Sequence, residues 1–293
     1  MKHFLLLIGI LFILSCSKKG NDKISTGFNI KDDLNKSFSF SEQPKRIISL
    51  APNITEMLFD LDLGNNIVGN TTYCNYPDEA KKIEKVGDLL SVDFEKILNL
   101  QADIIFITTE GNTKIAYDKL VSLKQKVFVL NPKSFMDIKK NYLKIAEIFD
   151  KTDKAKEDIS SWEKVEDSIR RELKNQPLKK AMFLVSLHPV ILAGEKTFIN
   201  EFLELMNLQN IASGIAINYP IFSREEILAR DPEVILHTTH AGNDDDIYNS
   251  YPEWKKLKAV KKGQVYYLNP DIFFRPGPRY IEGIKALYRN LRR

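Results

Sequence analysis

The strongest constraint on this chain is an alternation. From Arg46 onward, short β-branched runs take turns with amphipathic helical stretches. The first half reads as strand 46–50, a helix from Asn53, strand 66–69, a helix from Ser91 or Asp93, strand 103–108, helix 112–123 and strand 127–130. Strands that alternate with helices build parallel sheets wrapped by helices. Helical patterning then continues over 134–149 and 153–175. In the second piece Ala155, Ile159, Trp162, Val165, Ile169 and Leu173 recur at three- and four-residue spacing, one apolar stripe. That piece would run about 34 Å at ~1.5 Å per residue. After Pro177 the alternation resumes, with strands 182–187 and 190–192, helix 197–206, a helix from Ser223, strands 234–237 and 265–268, and helix 279–291.

The expected fold class is therefore α/β. Two α/β lobes, 44–150 and 177–293, are joined by one long helix over 151–176. Two helix starts carry capping-box spacing, Asn53 with Glu56 and Ser223 with Glu226. A faint repeat relates 94–107 to 224–237, with identity at Glu95/Glu225, Ile97/Ile227, Leu98/Leu228 and Ile105/Ile235. Each copy is a short helix opening on glutamate, a tight turn and a buried-type strand. The two glutamates occupy equivalent surface places, where complementing the helix dipole is worth a few tenths of a kcal/mol at least.

The N-terminus reads as an address. Lys2 and His3 precede an apolar run over 4–14, which as a helix would span about 16 Å. That is about half the ~30 Å hydrocarbon core, so it suits a signal peptide and not a spanning helix. Ile13-Leu14-Ser15-Cys16 resembles the bacterial lipobox, which makes 1–16 a lipoprotein leader and Cys16 the expected lipidation site. Residues 17–43 are polar and nearly core-free, and are expected to form a flexible tether. The expected location is periplasmic or cell-surface, lipid-anchored to a membrane.

Composition closes off several classes. The chain has 43 Lys+Arg against 39 Asp+Glu, and several of the positives sit at its ends, so no basic face for nucleic acid remains. Two cysteines build no disulfide framework, and Cys74 is left alone once Cys16 is lipidated. There is no P-loop, dinucleotide glycine fingerprint, nucleophile elbow or HExxH, so no enzyme is expected. His237 and His240 with His188 make a thin metal set, because His237 ends a strand rather than sharing a helix face. Asp244-Asp245-Asp246 reads more readily as a solvated loop than as a calcium site.

Aromatic and polar residues gather between the elements instead. Tyr73 and Tyr76 follow the second strand, Tyr219 precedes the Ser223 helix, and Asp271, Ile272, Phe273, Phe274 and Arg275 follow the last strand. Loops beyond strand carboxyl ends are where α/β sheets bind ligands. Two readings stay open on the residues alone: a ligand cleft walled by aromatics, or aromatics packing one lobe onto the other.

Three segments together, 44–56 (PKRIISLAPNITE), 73–77 (YCNYP) and 82–87 (KIEKVG), resemble the N-lobe of substrate-binding proteins of iron-complex and vitamin B12 ABC importers. Tyr219-Pro220, Ser223-Arg224-Glu225 and 227–230 (ILAR) resemble the C-lobe, nearest the vitamin B12 branch. The resemblance covers about Pro44 to the C-terminus. It implies two Rossmann-like α/β lobes joined by one long rigid helix with a ligand cleft between the lobes, in which Tyr73, Tyr219 and Asp271 to Arg275 face the ligand. It also implies that Glu95 and Glu225 dock on arginines of an ABC permease dimer served by an ATPase. It further implies a monomer with no cofactor, whose guest is cobalamin, with haem or a ferric siderophore as the alternative and a free transition-metal ion behind those. Leu89, Thr108 and Tyr219 stand where the branch has tryptophans, and Met206 and Tyr288 where it has cysteines. Arg275 and Arg279 offer guanidinium forks for ligand carboxylates, unless Arg279 only caps the neighbourhood of the last helix.

Overall fold

The computed structural model describes residues 28–109, 111–238 and 245–292. Four parallel strands form the N-terminal sheet: β3 (Ile47–Ser49), β4 (Ile67–Asn70), β5 (Ile104–Ile107) and β6 (Val127–Val129), in the order β4-β3-β5-β6. They read as continuous apolar runs because helices cover both faces. Those helices are α1 (Pro52–Asp60), α2 (Phe94–Asn99), α3 (Lys114–Ser122) and α4 (Phe135–Ile148). Strand order reverses at β3, and its carboxyl end meets the crevice where such sheets hold ligands.

Helix α5 (Thr152–Leu173) is the connecting rod of 22 residues, about 33 Å long. It buries Ala155, Trp162 and Ile169, three members of the stripe seen in the sequence. The C-terminal sheet runs β11-β10-β7-β8, with β9 also on β7. These strands are β7 (Lys179–Ser186), β8 (Ile191–Leu192), β9 (Leu208–Asn210), β10 (Val234–His237) and β11 (Val265–Tyr267). All pairings are parallel except that of β7 with β8. Helices α6 (Phe198–Leu205), α7 (Arg224–Arg230), α8 (Asp245–Ser250), α9 (Lys258–Lys261), α10 (Pro270–Phe273) and α11 (Tyr280–Leu291) complete this lobe.

The lobes are held by more than the rod. One aromatic chain crosses between them: Phe135 of α4 lies 5.6 Å from Phe198, 5.0 Å from Phe202 and 4.7 Å from Tyr280, ring centre to ring centre. Beneath it the buried Lys139 ammonium sits 3.0 Å from Glu166 of α5. The Tyr280 hydroxyl donates to the same carboxylate at 2.6 Å. A continuous apolar core thus runs through both lobes, which opposes hinge motion by making any opening expose aromatic surface.

Three expectations are corrected. The flexible tether over 17–43 gives way at Phe28 to an antiparallel hairpin of β1 (Phe28–Lys31) and β2 (Ser37–Phe40). The reason is alternation: Phe38 and Phe40 bury one face while Ser37 and Ser39 stay outside, and Phe38 packs 4.9 Å from Phe128. The hairpin turn is pinned as well. The Asp33 N–H donates to the Val129 carbonyl at 3.0 Å, and its carboxylate accepts from the Asn131 N–H and the Asn141 amide and pairs with Lys144. Second, Asn53 and Glu56 form no capping box, since α1 starts on Ala51 and Pro52 without a side-chain cap. Ser223 does accept from the Glu226 N–H at 3.0 Å, but the Glu226 carboxylate turns to Arg230 instead of completing the box. Third, the segment after the last strand is not an open loop, because Pro270–Phe273 forms the short helix α10, capped by the Asn269 side chain. The leader with Cys16 lies outside the described residues, as do His240 and Asp244.

Candidate functional site

A cleft of about 630 Å³ lies between the lobes, within the 300–1,000 Å³ typical of small-molecule sites. Segments following the N-terminal strands feed it: Ala51 to Asn53 after β3, Tyr73 after β4, Thr108 after β5, and Asn131 to Lys133 after β6. The opposite wall is Lys196 to Ile199 at the start of α6, Asn218 and Tyr219, and Pro270, Asp271 and Phe273 to Pro276.

Local hydrogen bonds fix these segments. The buried Thr55 hydroxyl reaches Ser49 Oγ at 2.8 Å and Cys74 Sγ at 3.1 Å, and Thr71 Oγ1 lies 3.2 Å from the same sulfur. That ties the turn carrying Tyr73 to α1. Asn112 donates to the carbonyls of Leu50 and Leu89 and accepts from the Thr108 N–H, so one amide ties together the ends of β3 and β5 and the loop carrying Leu89. On the other wall the Gly194 N–H donates to the Asn218 carbonyl at 2.7 Å. A Cβ at Gly194 would stand 2.6 Å from the Ile217 carbonyl oxygen, so this approach, which seats Tyr219, requires glycine.

At the floor a charged network joins the lobes. Arg279 forks onto Glu56 of α1 at 2.6 and 3.0 Å. Arg275 reaches Glu56 at 3.3 Å, Asn75 Oδ1 at 2.7 Å and Asp271 at 2.7 Å. Asn75 donates back to Asp271 at 3.0 Å, and the Asn53 amide donates to the Pro276 carbonyl at 3.2 Å. Burial pushes the Glu56 carboxyl above its ordinary value, while the two guanidiniums pull it down. Burial also works against the Arg279 charge, but its pairing with Glu56 outweighs that and holds Arg279 above its ordinary value.

The structure gathers most of the expected site. Tyr73, Tyr219, Asp271, Phe273, Phe274 and Arg275 all line the cleft, and so do Leu89 and Thr108. Tyr73 is 53% exposed, Tyr219 47% and Phe274 38%, so these three offer ring surface to a guest. Phe273 is different, being 2% exposed and packed 4.6 Å from Phe202, and it shows the cleft only an edge of the core. Ile272 is absent from the lining. Its side chain packs against α11 over Gly283, because α10 turns successive residues to different faces where a loop would not. Arg279 is also off the lining: it holds the N-cap position of α11 without a side-chain cap hydrogen bond, and its guanidinium is committed to Glu56. Sequence reading missed Glu56, Asn75, Lys133 and Lys196. Glu56 was assigned to a cap, and a lysine in a loop carries no sequence signal of the cleft it borders.

Glu95 and Glu225 are exposed first-turn residues of α2 and α7, whose starts are capped by Asp93 and Ser223. Each stands six residues beyond a cleft residue, Leu89 (95 − 89) and Tyr219 (225 − 219). The repeat thus extends to the rim of the site. Neither carboxylate enters an ion pair among the described residues. No group of three His, Cys, Asp or Glu able to hold a metal occurs among the described residues. His237 is fully buried beside Tyr267, and His188 packs on Tyr251. Among the described residues no helix is long and apolar enough to cross a membrane.

This architecture has known counterparts. The periplasmic binding protein family matches residues 47–272, and the chain belongs to that family. It is 29% identical to an uncharacterized ABC transporter substrate-binding lipoprotein, YvrC, of Bacillus subtilis, over 98% of this chain and 95% of that one. Among solved structures, the periplasmic vitamin B12-binding protein BtuF of Vibrio cholerae superposes with a TM-score of 0.75 at 26% identity, covering 85% of this chain and 97% of the other. A possible iron-binding periplasmic solute-binding protein of Staphylococcus epidermidis gives 0.76 at 26% identity, covering 86% and 100%. The chain is thus an extracytoplasmic substrate-binding protein of an ABC importer, which hands a small ligand to a permease and its ATPase, and not an enzyme.

Proposed function

We propose that this chain is a monomeric lipoprotein, anchored through Cys16, that captures cobalamin or a related metal–organic complex and delivers it to its permease. The observation that carries the ligand class is the cleft itself. It is large, it draws walls from both lobes, and it presents the exposed rings of Tyr73, Tyr219 and Phe274. Such faces suit a bulky flat guest. Likeness to a vitamin B12-binding protein supports cobalamin. Haem or a ferric siderophore is the second reading, favoured by one observation: Leu89, Thr108 and Tyr219 leave the cleft with no tryptophan on its lining. Glu95 and Glu225 are assigned to docking, one acid per lobe, which supplies register and encounter rate to a two-fold symmetric partner.

Calorimetry on residues 17–293, which keep every described residue, tests the ligand. One-to-one binding of cyanocobalamin is expected, and Tyr73→Ala is expected to weaken it about tenfold, the scale of losing one aromatic contact. Binding of haemin with no heat from cyanocobalamin moves the assignment to the second reading. Silence with cyanocobalamin, haemin and ferric siderophores alike overturns the class.

A further inference from the structure

Most polar side chains on the cleft wall already have partners. The Asn53 amide donates to the Pro276 carbonyl, Thr108 Oγ1 accepts from the Gly111 N–H at 2.9 Å, and Thr197 Oγ1 donates to the Gly194 carbonyl at 2.8 Å. Asp271 and Arg275 bind each other, and Asn218 is exposed, so water serves it. Asn131 differs. It lines the cleft, is half-buried, and its Oδ1 is shut off from solvent with no hydrogen-bond partner among the described residues. Such orphaned acceptors are rare, because burying one costs free energy that a partner would return. The other orphan, Trp254 Nε1, sits in the core of the C-terminal lobe and off the cleft lining. The backbone around Asn131 is fixed. Its N–H donates to the Asp33 carboxylate at 2.6 Å, the Leu130 N–H donates to the Ile107 carbonyl at 2.9 Å, and Pro132 follows with its locked φ. Asp33 is held in turn by the Asn141 amide at 2.9 Å and by Lys144. The turn of the β1–β2 hairpin thus sets where Asn131 stands. Rotation about χ2 exchanges the amide's oxygen and nitrogen with little change of shape, so either end can face the cleft.

We propose that Asn131 is a specificity-determining residue, whose Oδ1 accepts a hydrogen bond from a neutral donor on the guest, the N–H of a carboxamide. This rests on the receptor reading above and adds to it the polar group that the ligand must carry. A guest that offers an ester at this place leaves Oδ1 unpaired and returns none of the burial cost. A carboxylate has acceptors only, so it meets the amide through Nδ2 and again leaves Oδ1 without a donor. A carboxamide both donates and accepts, and therefore serves whichever end of Asn131 faces it. Among the candidate guests, cobalamin carries carboxamides around its ring, whereas haem carries carboxylates.

Calorimetry on residues 17–293 with a matched pair of probes tests this. Dicyanocobinamide and dicyanocobyrinic acid heptamethyl ester share one corrin ring, but the first carries side-chain carboxamides and the second methyl esters. For a guest of the haem class, haemin bisamide and haemin dimethyl ester form the equivalent pair. The members of a pair differ in general polarity, so the readout is what Asn131→Leu does to each. That variant keeps the size of the side chain and removes its polar atoms. It is expected to weaken the amide about tenfold, the scale of one hydrogen bond, and to leave the ester within about twofold. Its urea midpoint is expected to match or exceed that of the parent, since an unpaired acceptor has gone. A midpoint clearly below the parent's would mean that the amide is bonded within the protein, which overturns the proposal. An equal effect of Asn131→Leu on amide and ester overturns it too, while the receptor reading stands. If no member of either pair binds, the proposed ligand class falls and this inference falls with it.

Discussion

The two ends of the cleft are built on opposite plans. At the floor, Glu56, Asp271, Arg275 and Arg279 satisfy one another, and Glu56 is only 3% exposed. At the aromatic junction, rings carry the contact between lobes, with Phe135 5.6 Å from Phe198 and 5.0 Å from Phe202. Charge holds the protein together at the first end, and ring packing does so at the second. The difference shows why counting charged residues on a pocket wall misleads. An arginine already forked onto a buried carboxylate is a structural element, whatever its distance from the ligand.

Removing the carboxylate should break that contrast most severely. Glu56→Ala leaves two guanidiniums in a site sized for three charges, and breaking a buried pair in this way costs about 3–5 kcal/mol. Urea unfolding measures it, and a loss under about 1 kcal/mol would show the floor to be no lock at all. Glu56→Met/Arg275→Met/Arg279→Leu sharpens the point, since replacing the buried members of an ion set by apolar side chains often costs little, and the Asp271 left behind is 39% exposed to solvent. That triple variant should be more stable than Glu56→Ala alone.

A smaller loss is expected at the junction. Tyr280→Phe keeps the ring between Phe135 and Trp162 but deletes the 2.6 Å hydrogen bond to Glu166. Glu166 still has Lys139 at 3.0 Å, so the cost should be about 1–2 kcal/mol in the same unfolding measurement. A cost equal to that of Glu56→Ala would mean that the junction, too, depends on its polar atoms more than on its rings.

What the sequence disclosed follows from which interactions are local. The β5 and β10 runs, the α5 stripe and the Asp93 and Ser223 caps depend on neighbours within a turn or two, so their patterns are written in consecutive residues. Tyr73 was legible because it follows a strand signal and Tyr219 because it directly precedes the Ser223 helix, and the family resemblance points to both. Glu56 was misread because its spacing from Asn53 fits a local cap, while its partners lie more than 200 positions away. Ile272 was misplaced for a related reason: a one-turn helix after a proline looks like a loop until α11 packs on it. The hairpin did have a signal, the Ser37-Phe38-Ser39-Phe40 alternation, which the polar composition around it hid.

The smallest structural effect should come from the rim, where the repeat places one acid per lobe. Glu95→Arg and Glu225→Arg sit on exposed first turns and leave both caps intact, so each should shift stability by only about 0.5 kcal/mol, the loss of a favourable dipole contact. Ligand affinity should stay within about twofold, since neither side chain lines the cleft and exposed charges are screened beyond about 10 Å. Uptake by cells that rely on this chain should nevertheless collapse when both are reversed, and should weaken only in part with one. Normal uptake by the double reversal would remove the glutamates from the docking surface and leave the repeat as a consequence of two similarly built lobes.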